Sequence, residues 1–114
     1  MTDIVVRKKA DRIRLLNDNF RTTLVGGQIV TTQGVAELTL YEKARVLLAV
    51  QGFAEFDAEN DPHGEHDFGS FELAGETYFF KVDYYSPDLK SGSEDPADPE
   101  KTARVLTIMR ADEY

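Results

Sequence analysis

The chain has no cysteine. Disulfides and thiolate metal sites are therefore excluded, and a reducing cytosol is a compatible setting. It also lacks any run of eighteen apolar residues, and its opening "MTDIVVRKKADRIRLL" has only a three-residue apolar run ahead of a basic cluster. With neither a membrane span nor the apolar core of a signal peptide to be read, a cytoplasmic protein without membrane attachment is the expectation. The standard chemical signatures are missing as well: no G-x-x-x-x-G-K-[ST], no G-x-G-x-x-G after a strand, no G-x-S-x-G and no H-E-x-x-H. Basic residues are scarce in the second half. Residues 51–114 carry five Lys/Arg against sixteen Asp/Glu, a net of −11, whereas residues 1–50 carry eight against five, a net of +3, and the two add to −8. Direct nucleic-acid binding is disfavoured, because it draws on clustered cations that release counterions. The one basic stretch, Arg7, Lys8, Lys9, Arg12 and Arg14, reads as a solvated helix face that could touch an anion.

What is present suits one domain spanning residues 1–114. The chain is 41% hydrophobic and holds seven Phe and five Tyr, enough for a core. Val6, Ala10, Ile13, Leu16, Phe20 and Leu24 recur at steps of three and four, the stripe of an amphipathic helix ended by Gly26-Gly27. The β-branched run Gln28 to Gln33 predicts a strand. Thr39 and Glu42 form a T-x-x-E capping box ahead of a second helix running to about Gln51, with Leu40, Ala44, Leu47 and Leu48 expected to face inward. Residues 55–67 hold six acids and no Lys or Arg, and within this loop Asp61-Pro62-His63-Gly64 fits a type I turn.

An aromatic hairpin follows. Gly75-Glu76 suits a two-residue turn, which would pair Leu73 with Tyr78, Phe71 with Phe80 and His66 with Tyr85. Asp98-Pro99 starts a helical turn over Pro99–Ala103, and the β-branched "RVLTIMR" predicts a last strand at Arg104–Arg110 rather than a helix. The resulting fold class is α+β, in the order α-β-α-β-β-β. Its expected form is a mainly antiparallel sheet with two helices packed on one face.

The chemistry concentrates in "NDPHGEHDFG", which holds both histidines. Imidazole and carboxylate together suit Zn²⁺, Mn²⁺ or Fe²⁺, so a divalent metal is the candidate cofactor, with His63, His66 and Asp67 as metal ligands. On the expected hairpin register His66 shares a sheet face with Lys81, Asp83 and Tyr85, which makes His63, His66, Asp67, Asp83 and Tyr85 the candidate binding residues. Glu65 is the candidate general base. The plain alternative is that His63 fills the third position of a turn, His66 pairs across the strands, and the acids are solvated.

"RIRLLNDNFR", "NDPHGEHDFGSFE", "FFKVDYY", "GSEDPADP" and "RVLTIMRADEY" resemble an uncharacterised family of small alphaproteobacterial proteins, known as a domain of unknown function, over about Asp11 to Tyr114. The resemblance implies a bacterial cytoplasmic protein and carries no activity, ligand or fold. Two functions remain open. One is a non-enzymatic binding or regulatory module acting through a protein partner. The other is a small metal-dependent, hydrolase-like enzyme built on the His63/His66 acidic cluster.

Overall fold

The computed structural model describes residues 2–114, with side chains described from Arg7 onward. Val6, where the first apolar stripe begins, lies outside the described side chains. Helix α1 (Thr2–Thr23) leads through strand β1 (Gly27–Thr31) and a one-turn helix α2 (Gln33–Ala36) to helix α3 (Leu40–Gly52). A loop then enters the hairpin of β2 (Phe68–Leu73) and β3 (Glu76–Tyr85). A 3₁₀ turn (Pro99–Lys101) precedes β4 (Ala103–Arg110), and another covers Ala111–Glu113. The fold is α+β. Among the described residues, no helix is long and apolar enough to cross a membrane.

The four strands form one sheet in the order β1-β4-β3-β2. Strands β2, β3 and β4 run antiparallel, as their hairpin pattern predicts, but β1 pairs with β4 in parallel, so the sheet is mixed. Both larger helices feed one core. Phe20 of α1 and Val46 and Val50 of α3 meet Tyr78, Phe80 and Val82 of β3 and Leu106 and Ile108 of β4. Even-numbered positions of β3 and β4 therefore face the helices, and the odd-numbered ones face away.

Several expectations shift locally. Leu24, with φ +62°, takes the left-handed position that ends α1, ahead of Gly26 and Gly27. The hairpin turn is Ala74-Gly75 rather than Gly75-Glu76, with φ of +52° and +81°. Positive φ at both central residues is what a primed two-residue turn requires. Paired positions consequently sum to 149, placing Phe71 opposite Tyr78 and Gly69 opposite Phe80, not Leu73 opposite Tyr78 or Phe71 opposite Phe80. Each partner moves by two residues, so the inward and outward faces survive the change. At Gly69 a Cβ would overlap the Phe80 ring, which the bare backbone admits.

The capping box of α3 is present: Glu42 N–H donates to Thr39 Oγ1 (3.1 Å) and Thr39 N–H to Glu42 Oε1 (3.0 Å). Its buried face is not the expected one. Leu40 is 84% and Leu48 67% exposed, Ala44 is exposed too, and Val46 and Val50 point into the core with Leu47 at its margin. Apolar residues surround most of this helix, so its periodicity defines no single stripe. Packing against Phe20, Val35 and the sheet selects the Val46–Val50 side. The last strand is as read, and Asp98 caps the 3₁₀ turn before it by accepting from Glu100 N–H (2.9 Å).

Candidate functional site

Asp61 organises the loop that the histidines occupy. Its carbonyl accepts from Gly64 N–H (3.2 Å), closing the turn that Pro62 favours. Its Oδ1 accepts from the N–H groups of Glu65 (2.9 Å) and His66 (3.1 Å). The Asp61 side chain is only 6% exposed, so these donors replace its lost water. Gly64 (φ +69°) and His66 (φ +55°) are both left-handed, which swings the His66 side chain back toward α1.

There the imidazole is held on three sides. Nδ1 lies 2.8 Å from Asp18 Oδ1, and because a carboxylate only accepts, Nδ1 carries the hydrogen. Nε2 stands 3.6 Å from Asp61 Oδ2, and the ring stacks on Phe56 at 3.8 Å and 5°. Asp18 also accepts from Arg21 Nη1 (3.1 Å). The buried Arg21 guanidinium donates from Nη2 to the Phe53 carbonyl (3.1 Å) and lies over the Phe56 and Phe80 rings.

A second network lies beside the first. Asn17, fully buried, donates from Nδ2 to the Glu65 carbonyl (3.0 Å) and to Tyr84 Oη (2.8 Å), while its Oδ1 accepts from Arg104 Nε (2.8 Å). Tyr84 in turn donates to Glu65 Oε1 (2.8 Å). Burial, then the bond to Glu65 and the charges of Glu65 and Asp67, push the phenol well above its usual range against the lowering bond from Asn17, so Tyr84 stays protonated. Burial lowers the affinity of Arg104 for its proton, offset by Tyr84 and Glu65. Arg104 also donates to the Pro96 carbonyl and lies over the Tyr84 ring. Asp67 is half-buried, and desolvation, reinforced by the charges of Glu65 and Asp61, raises it above the ordinary carboxylate range.

His63 faces a different environment. It lines an open groove of roughly 680 Å³ between α1 and the 62–65 segment. Arg7, Lys9 and Arg14 bring positive charge to this groove, Asp11 and Glu65 bring negative charge, and Ala10, Ile13 and Pro62 supply apolar wall. Arg14 ties the two sides by donating to the Gly64 carbonyl (3.2 Å) and to Asp11 (2.8 Å). Along α1, Ala10 beside the groove and Asp18 beside His66 are about 12 Å apart at 1.5 Å per residue. The two histidines therefore serve neighbouring but separate surroundings.

Asp83 and Tyr85, expected beside His66, occupy odd positions of β3 on the face turned from the helices, where Asp83 pairs with Lys81 (3.0 Å). The expected His66–Tyr85 pairing is absent because β2 begins at Phe68, opposite Lys81. Strand alternation does not reach a residue with φ +55°. Among the described residues, no group of three His, Asp or Glu side chains is arranged to hold a metal ion. His63, His66 and Asp67 are not brought together as a ligand set, and Glu65 is engaged with Tyr84.

Asn17, Asp18, Arg21, Phe56, Tyr84 and Arg104 complete the site, and no sequence motif singles them out. A signal for some was available. Asn17 and Arg21 stand on the apolar stripe of α1 at helical spacing from Ile13 and Phe20. Tyr84 and Arg104 alternate inward with Val82 and Leu106. A polar residue at a core position needs a buried partner.

The family model described as a protein of unknown function, DUF3768, matches residues 31–113. The chain belongs to this family. No curated protein and no solved structure was found to match the chain. The matched DUF3768 segment contains Asp61 to Asp67, Tyr84 and Arg104. Asn17, Asp18 and Arg21, their partners on α1, precede it. Of the expected resemblance over Asp11 to Tyr114, the match supports membership of a family of unknown function over residues 31–113.

Proposed function

We propose that the protein is a non-catalytic binding module whose α1–turn groove receives an acidic segment of a protein partner. One observation carries this reading: the "DPHGEH" turn divides its polar groups between two tasks. Asp61, Glu65 and His66 are bound to partners inside the fold, and a Tyr84 held as the neutral phenol offers neither base nor nucleophile. His63 is exposed and opens onto the groove with Arg7, Lys9 and Arg14. Arginine pairs with carboxylates in bidentate fashion, and the apolar wall of Ala10, Ile13 and Pro62 suits an aliphatic side chain between them. The strongly acidic second half disfavours a long polyanion such as nucleic acid, which would extend beyond the basic rim.

The test is fluorescence anisotropy with a labelled twelve-residue peptide of Glu and Leu, against a control in which Lys replaces Glu. The acidic peptide is expected to bind, and the double variant Arg7→Glu/His63→Glu to weaken it at least tenfold without changing the melting temperature. Equal affinity for both peptides, or binding indifferent to the double variant, would overturn the groove as the site. Addition of Zn²⁺ or Mn²⁺ should leave the melting temperature unchanged. A rise with either ion would favour the metal-dependent reading instead.

A further inference from the structure

Strand β1 is exposed at all five positions and is paired on one side only. Thr32 N–H donates to the Ile108 carbonyl (3.1 Å). In a parallel ladder both backbone groups of alternate residues turn to the same neighbour, so Gln28 and Val30 face β4. Gly27, Ile29 and Thr31 turn theirs to the open edge, and no bond from these groups to another segment is made among the described residues. Sheet edges are ordinarily blunted by charge, proline or a covering loop. This one has none of the first two: residues 22–36, "TTLVGGQIVTTQGVA", hold no charged side chain and no proline in a chain that is 30% charged. Ile29 (39%) and Val30 (43%) also expose apolar surface along it.

We propose that this edge pairs with a second copy of the chain, β1 against β1 in antiparallel register about Ile29. Two copies that each carry a net −8 repel one another as wholes, so a contact is favoured where neither presents charge. The register is self-complementary. With Ile29 opposite Ile29, Gly27 meets Thr31, and every outward N–H and C=O of these residues finds a partner across a twofold axis. The two sheets would become one of eight strands.

Light scattering behind size exclusion, at about 100 μM, is expected to give twice the 12.8 kDa of one chain. Ile29→Lys and Ile29→Glu each place like charges opposite one another on the axis, and each alone should run at the mass of one chain. Mixed in equal amounts they should recover the double mass. In the wild-type protein the amides of Ile29 and Thr31 should exchange at least tenfold more slowly at high than at low concentration, a readout independent of any variant. A wild-type chain of single mass would overturn the proposal. So would charged variants that remain double, a mixture that stays single, or Ile29 and Thr31 amides indifferent to concentration.

Discussion

His66 adopts φ +55°, a conformation that costs an L-residue about 1–2 kcal/mol, and holds it because three partners converge on its ring. Removing the ring leaves Asp18 and the buried Asp61 without it. His66→Ala is expected to lose about 1–3 kcal/mol in urea denaturation, the cost of a hydrogen bond to a charged group and of the stacking on Phe56, since Asp18 keeps Arg21 and Asp61 keeps its backbone donors. His66→Gly loses the same contacts but relieves the backbone, and should be about 1 kcal/mol more stable than the alanine variant. His63→Ala, at an exposed position, should stay within about 0.5 kcal/mol of wild type. Asp67 adds a pH dependence of definite sign. Its raised proton affinity means that the folded state binds more protons than the unfolded state, so stability falls as pH rises through the ordinary carboxylate range and just above it. Asp67→Asn should remove that slope and be more stable than wild type at pH 7, as urea melts at stepped pH would show.

The β2–β3 hairpin shows which signals are readable and which are not. Its strands and faces follow from aromatic alternation: of the expected inward residues, Phe80 and Val82 are buried, and Phe71 and Leu73, on the edge strand, are partly buried against the core. The turn sits one residue earlier than its glycine suggests, because glycine is the usual choice for positive φ, yet Ala74 stands at +52° in front of Gly75. Ala74→Asn would create the Asn-Gly pair that this turn prefers, and is expected to raise stability by about 1 kcal/mol in thermal or urea unfolding. Helix α3 shows the complementary limit: its cap is a local feature read from two residues, but its buried face depends on partners distant in the chain. The site divides the same way. The turn at Asp61–Gly64 was legible because Asp, Pro and Gly act locally. The partners of His66 were not, because Asp18 lies 48 residues away and one left-handed residue reverses the side to which alternation assigns the ring.

Phe80 is where these pieces meet. It is fully buried, touches Phe53 and Phe56 edge-on, lies under Arg21 and presses against Gly69. Phe80→Ala should cost roughly 3–5 kcal/mol, a large share of the roughly 5–15 kcal/mol typical of a small protein, and should melt helices and sheet together when followed by circular dichroism and near-ultraviolet signals. The sheet order has a separate consequence for how the molecule is made. Strand β4 lies between β1 and β3, yet it is the last of these four strands to leave the ribosome. Until then β1 has no neighbour, the hairpin has one bare side, and Arg104 is missing from its bond with Asn17. The nascent chain can hold helices and a hairpin, but its sheet closes only after β4 emerges, and a stall before residue 103 would leave the edges of β1 and β3 that β4 covers bare for chaperones to shield.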